Sequence, residues 1–90
     1  MKLNVHVVIS GQVQGVWFRA SAKQKAEELG LNGWVKNNYN GSVEAVFEGD
    51  EEIIKKMVNW CHVGPPMAKV DNVVVKKQQT IGFKDFSIKY

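Results

Sequence analysis

The chain has one cysteine, Cys61, and that scarcity excludes two classes at once: no intramolecular disulfide can staple it, and no thiolate cluster can hold a metal. A reducing, cytoplasmic setting is expected. Long apolar runs are also missing. The opening MKLNVHVVIS is broken by Asn4 and His6 and is too short for a signal peptide or a membrane span, so neither targeting nor membrane association is expected. Nor is charge of one sign in large excess: 12 Lys and Arg against 9 Asp and Glu leave a net +3, with no nucleic-acid partner implied. A small anionic ligand suits that balance better. The nucleotide-loop signatures are absent too, since the glycines are not spaced as G-x-G-x-x-G and no Lys-Ser or Lys-Thr follows them. No internal repeat or low-complexity segment occurs.

What remains is an ordinary globular composition, 44% hydrophobic and 23% charged over 90 residues, which suffices for one core. A single domain over residues 1–90 is expected. In NVHVVIS, Val5, Val7 and Ile9 alternate with His6, Val8 and Ser10, which predicts a strand with one apolar face. Phe18, Ala22, Ala26 and Leu29 recur at helical spacing, and Gly30 stops that helix. GWVKN resumes an extended run, NNYNG carries a turn, and SVEAVFE sets Val43, Ala45 and Phe47 against Ser42, Glu44, Val46 and Glu48, so a hairpin is expected. A second helix has its ends written in. Asp50 can cap it, Glu51 and Glu52 suit its positive end, Gly64-Pro65-Pro66 forbid its continuation, and Ile54, Met57, Val58 and Cys61 form its apolar stripe.

AKVDNVVVKK and KDFSIKY read as the last strands, the latter with Phe86, Ile88 and Tyr90 on one face. The order is therefore βαββαβ with a short extra C-terminal strand. That is an α+β, ferredoxin-like sandwich, an antiparallel sheet with both helices on one face.

On this scaffold GQVQGVWFR, Gly11 to Arg19, joins the first strand to the first helix. Glycine permits backbone angles that curl several N–H groups toward one point, and a helix N-terminus adds its own unpaired donors and positive dipole end. Arg19 brings a planar, permanently charged fork to the same place, so the segment reads as a phosphate cradle. A plainer reading stays open here, in which the glycines serve only the turn and the arginine only reaches water.

ISGQVQGVWFR followed by GWVKNNYNGSVEAVFEG resembles both signature segments of the acylphosphatase family, and GPPMAKVDNV resembles its link into the fourth strand; the likeness runs from about Val5 to Tyr90. The resemblance implies a cofactor-free enzyme that hydrolyses the carboxyl-phosphate anhydride of acyl phosphates, with inorganic phosphate as product and inhibitor. By the same resemblance the loop Gln14, Gly15, Val16, Trp17, Phe18 and Arg19 binds the phosphate, with Arg19 as its charged ligand, and Asn37 orients the attacking water. Both key positions match, and a monomer is expected. The competing class is a non-catalytic phosphate- or RNA-binding module of the same topology, but the third strand carries two glutamates and lacks the basic-Gly-aromatic start of an RNA-binding strand.

Other residues that attract attention have structural explanations. His6 sits in a strand, and His62 ends a helix where a cation suits the dipole. Cys61 lies in an apolar stripe, Trp34 and Trp60 are expected to fill core, and Asn38 and Asn40 suit a turn. Trp17 either packs or lines the rim where the acyl group lies.

Overall fold

The computed structural model describes residues 1–90. Its elements are β1 (Lys2–Gln12), α1 (Phe18–Glu28), β2 (Asn32–Asn37), β3 (Val43–Asp50), α2 (Glu51–Val63), β4 (Lys69–Gln78) and β5 (Phe86–Lys89). The strands form one sheet in the order β4-β1-β3-β2-β5. The first four are antiparallel as expected, whereas β5 lies parallel to β2, with Ile88 opposite Val35, so the whole sheet is mixed. The reason is topological: β4 and β5 occupy opposite edges, and the chain between them must cross the sheet.

Alternation decides the two faces. Val5, Val7 and Ile9 of β1 and Val43, Ala45 and Phe47 of β3 are buried toward the helices, where Phe18, Ala22 and Ala26 of α1 and Ile54, Met57 and Cys61 of α2 meet them. α1 covers β2 and β5 while α2 covers β1, β3 and β4. Phe47 stacks on Phe86 at 5.6 Å between ring centroids, and Phe18 tilts against Trp60 at 5.4 Å, joining the two helices. Helix boundaries follow local chemistry: the Asp50 carboxylate accepts from the N–H of Glu52 and Gly64 ends α2, while Leu29, half-buried, falls just beyond α1. Burial pushes the Cys61 thiol up to about 12, leaving it a neutral apolar side chain.

The helix-free face differs from its sequence expectation in three places. Val46 and Glu48 are buried although alternation turns them outward. Trp34 is not in the core; it lies half-buried on this face, its ring flanked by the ammonium groups of Lys89 at 4.5 Å and Lys36 at 5.9 Å. His6, also here, contacts Glu44 through Nε2 at 2.5 Å; that hydrogen bond leads the influences that hold the Glu44 carboxyl below its usual range.

The burial of Glu48 comes from the crossing chain. Gln78, Asn4, Glu48 and Asn32 form one lateral row across four strands, and each is hydrogen-bonded along it or to the segment between β4 and β5. Glu48 accepts from Asn4 and from the N–H groups of Ile81, Gly82 and Phe83, while Asn32 donates to the Phe83 carbonyl. The row thus fastens the crossing and delivers β5 to its place beside β2.

Candidate active site

The C-terminal end of β1 carries a bulge at Ser10/Gly11, and Gly11 is required there: with φ at 130°, a Cβ would lie 2.2 Å from the Lys69 carbonyl oxygen. The chain then turns away from the sheet. Val13 and Phe18 are both buried and pin the two ends of the connection, so residues 14–17 arch between them. Gly15 supplies one left-handed residue at φ 74° and Trp17 a second at φ 68°, the latter being the only non-glycine residue with positive φ. The arch is tied from outside. The Gln14 amide donates to the carbonyls of Asn38 at 2.7 Å and Ser42 at 2.9 Å, which couples it to the β2–β3 turn. That turn is braced in its own right by bonds among Asn38, Asn40 and Ser42, as the turn reading of both asparagines requires.

This path leaves a helix N-terminus open. Trp17 occupies the N-cap position of α1 without a side-chain capping bond, the first turn holds no acidic residue, and the first helical bond runs from the Ser21 N–H to the Trp17 carbonyl. The N–H groups from Gly15 to Ala20 therefore have no acceptor within the chain. Together with the helix dipole they make a region of positive potential facing the arch.

Two polar side chains reach the same place. Arg19, in the first turn of α1, is half-buried, enters no ion pair, and stacks its guanidinium carbon 5.2 Å from the centre of the Tyr90 ring. Asn37 ends β2 opposite Val43, and its half-buried amide makes no hydrogen bond within the chain. Both line a cleft of about 360 Å³ with Gly15, Trp17, Phe18 and four further residues. No histidine, aspartate or glutamate lines it, and nowhere in the chain do three His, Cys, Asp or Glu side chains converge as metal ligands do. An oxyanion placed here meets backbone donors, a helix end and a guanidinium without a competing acidic side chain.

Of the residues singled out in the sequence, Gly15, Trp17, Phe18, Arg19 and Asn37 come together at this cleft. Gln14 and Val16 do not line it: the first is turned to the β2–β3 turn, and the second packs half-buried against the core. Ile88 and Tyr90 complete the wall and escaped the sequence reading as site residues. Their alternation with Phe86 puts them on the helix-facing side, but only the parallel pairing of β5 with β2 brings them beside Arg19. His6 and Glu44 lie on the opposite face of the sheet, and His62 is exposed at the end of α2.

The acylphosphatase family model matches residues 5–88. An acylphosphatase of Trichormus variabilis is 49% identical over 97% of this chain and 86% of its own length, and one of Pelotomaculum thermopropionicum is 48% identical over 99% and 98%. The solved structure of an acylphosphatase from Coxiella burnetii superposes with a TM-score of 0.95 at 43% identity, covering 98% of this chain and 93% of that one.

Proposed function

The chain belongs to the acylphosphatase family and hydrolyses the carboxyl-phosphate bond of acyl phosphates, and we propose that it does so with the phosphate held by the Gln14–Arg19 arch and the water aligned by Asn37. The observation that carries the residue assignment is that Arg19 and Asn37, from different elements, open into one cleft with no intramolecular hydrogen bond or ion pair at either head group.

The chemistry asks little of such a site. Water oxygen bonds to phosphorus as the bond from phosphorus to the bridging oxygen breaks, and the electron pair leaves on a carboxylate, a stable anion that needs no protonation. Negative charge on the equatorial phosphate oxygens is met by the arch N–H groups and by the guanidinium fork. The Asn37 amide accepts from the water and donates to a phosphate oxygen, which fixes the line of attack without acting as a base. The water's proton passes to a phosphate oxygen of the substrate. Products are a carboxylate and inorganic phosphate, and phosphate competes for the same cradle. The proposal contains no metal and no cofactor. It also takes the chain as a cytoplasmic monomer without nucleic-acid or membrane partners, supported by its modest charge, its single buried cysteine and the lack of any helix long and apolar enough to cross a membrane.

The test is Arg19→Ala, assayed by phosphate release from acetyl phosphate. Turnover falls by at least about a hundred- to a thousandfold, the cost of deleting one preorganised donor to a developing oxyanion. Stabilisation by inorganic phosphate weakens with it. Lysine in place of Arg19 rescues poorly because a point charge cannot form two parallel bonds. An Arg19→Ala protein with parental kcat/KM overturns the assignment, and a parent that binds phosphate without turnover overturns the catalytic reading.

A further inference from the structure

On the acyl phosphate reading above, we propose that Trp17 and Tyr90 form an acyl subsite beside the cradle that selects a planar aromatic acyl group, of the benzoyl class, over a short aliphatic one. Both side chains are open to water, Trp17 at 78% exposure and Tyr90 at 99%, yet both border the cleft. A lone exposed ring needs no explanation. Trp17 needs one, because it holds the only left-handed non-glycine backbone in the chain, a conformation glycine takes freely and asparagine cheaply but a bulky residue only under strain. Its ring takes no part in the core cluster and stacks on no other ring. The fold therefore gains nothing from a tryptophan at this point.

Tyr90 is tied to the cation of the site. One face of its ring takes the Arg19 guanidinium at 5.2 Å, and Ile88, two residues earlier on the same side of β5, extends that wall. In an acyl phosphate the carbonyl carbon is one bridging oxygen from phosphorus, so a phosphate held at Arg19 puts the acyl group within reach of these rings. The space is sufficient: a dry cavity of about 150 Å³ accommodates benzene, and the cleft measures about 360 Å³. A flat aromatic group gains both apolar burial and stacking on aromatic faces, whereas acetyl offers one methyl. A charged acyl group finds no second cation in the wall, since Arg19 is the only one lining the cleft and is committed to the phosphate.

The experiment measures kcat/KM for benzoyl phosphate and acetyl phosphate in the parent, Trp17→Asn and Trp17→Phe. Asparagine tolerates the left-handed backbone, so the arch keeps its path. Comparing each variant's benzoyl-to-acetyl ratio with the parent's cancels the intrinsic reactivity of the two substrates. In Trp17→Asn the ratio falls about tenfold, equivalent to about 1.4 kcal/mol, mainly through a higher KM for benzoyl phosphate. Trp17→Phe keeps the ratio within about threefold of the parent. If the asparagine variant turns over too slowly to read, thermal stabilisation by phenylphosphonate against methylphosphonate supplies the same comparison without catalysis. A ratio unchanged in Trp17→Asn by either readout overturns the subsite while leaving the reaction intact. A parent that hydrolyses neither substrate overturns the reaction itself, and the subsite with it.

Discussion

Replacing Glu48 with glutamine asks whether one carboxylate fastens the crossing chain that delivers β5 to the site. Its Oε2 accepts from Asn4 Nδ2 at 3.0 Å and the Ile81 N–H at 2.6 Å, and its Oε1 accepts from the N–H groups of Gly82 and Phe83 at 2.8 Å each. Glutamine has one carbonyl oxygen, so whichever way its amide points, an NH₂ group faces two donors and two of the four bonds are lost. Hydrogen bonds to a charged group contribute about 1.5–3 kcal/mol each; at the low end, since exposed Ile81 and Gly82 can turn to water, the loss is about 3 kcal/mol. For a domain of this size about 1 kcal/mol moves Tm by about 4–8 °C, so Glu48→Gln melts about 12–24 °C below the parent at neutral pH by circular dichroism. A difference under about 4 °C refutes the fastening role.

The pH dependence has a fixed sign. Burial pushes the Glu48 carboxyl up, but the bonds from Asn4, Ile81, Phe83 and Gly82 outweigh it and hold the group below its ordinary 4.5. A depressed folded pKa gives stability that is complete above the unfolded value and is lost as pH falls through the folded one. The Tm gap between parent and variant is therefore constant near neutrality and narrows in acid, below the ordinary value of 4.5. A gap undiminished to about pH 2 shows that the charge is not what the loop feels.

Asn37→Ala loses about a hundred- to a thousandfold in kcat while inorganic phosphate still raises Tm, because the water loses its alignment whereas the arch N–H groups and Arg19 still hold the phosphate; kcat within about threefold of the parent removes Asn37 from the mechanism. Gln14→Leu cuts two bonds between the arch and the β2–β3 turn. The Asn38 and Ser42 carbonyls keep backbone donors from Gly41 and Asn38, so neither is orphaned, and stability drops by about 1–3 kcal/mol in urea with an unchanged m value. Activity falls alongside, since Arg19 and Asn37 lose a common tie, and full activity at reduced stability limits Gln14 to a structural role.

Most of the scaffold was legible because its determinants are local. Alternation at Val5, Val7 and Ile9, helical spacing at Phe18, Ala22 and Ala26, and the Asp50 cap each act within a few residues, and the structure follows them. The same rules misplaced Val46, Glu48 and Trp34. Alternation states which face a side chain takes, but not whether another segment will cover that face. No local pattern announces that residues 79–85 cross the sheet over the Gln78-Asn4-Glu48-Asn32 row, because that row is assembled from four strands.

The candidate site divides along the same line. By itself the sequence determined a strand, a glycine-bearing arch and a helix start in succession, which suffices for a set of backbone donors with Arg19 beside them, since all these parts are covalent neighbours. It also carried the family likeness that joins Arg19 to Asn37. Only the tertiary structure decided that the Gln14 amide spends itself on the turn after Asn37, that Trp17 is held outward in a left-handed backbone, and that the Tyr90 ring lies against the guanidinium. These depend on strand pairings between segments distant in sequence, β1 with β3 and β2 with β5, and such a pairing is chosen by the packing of the whole core.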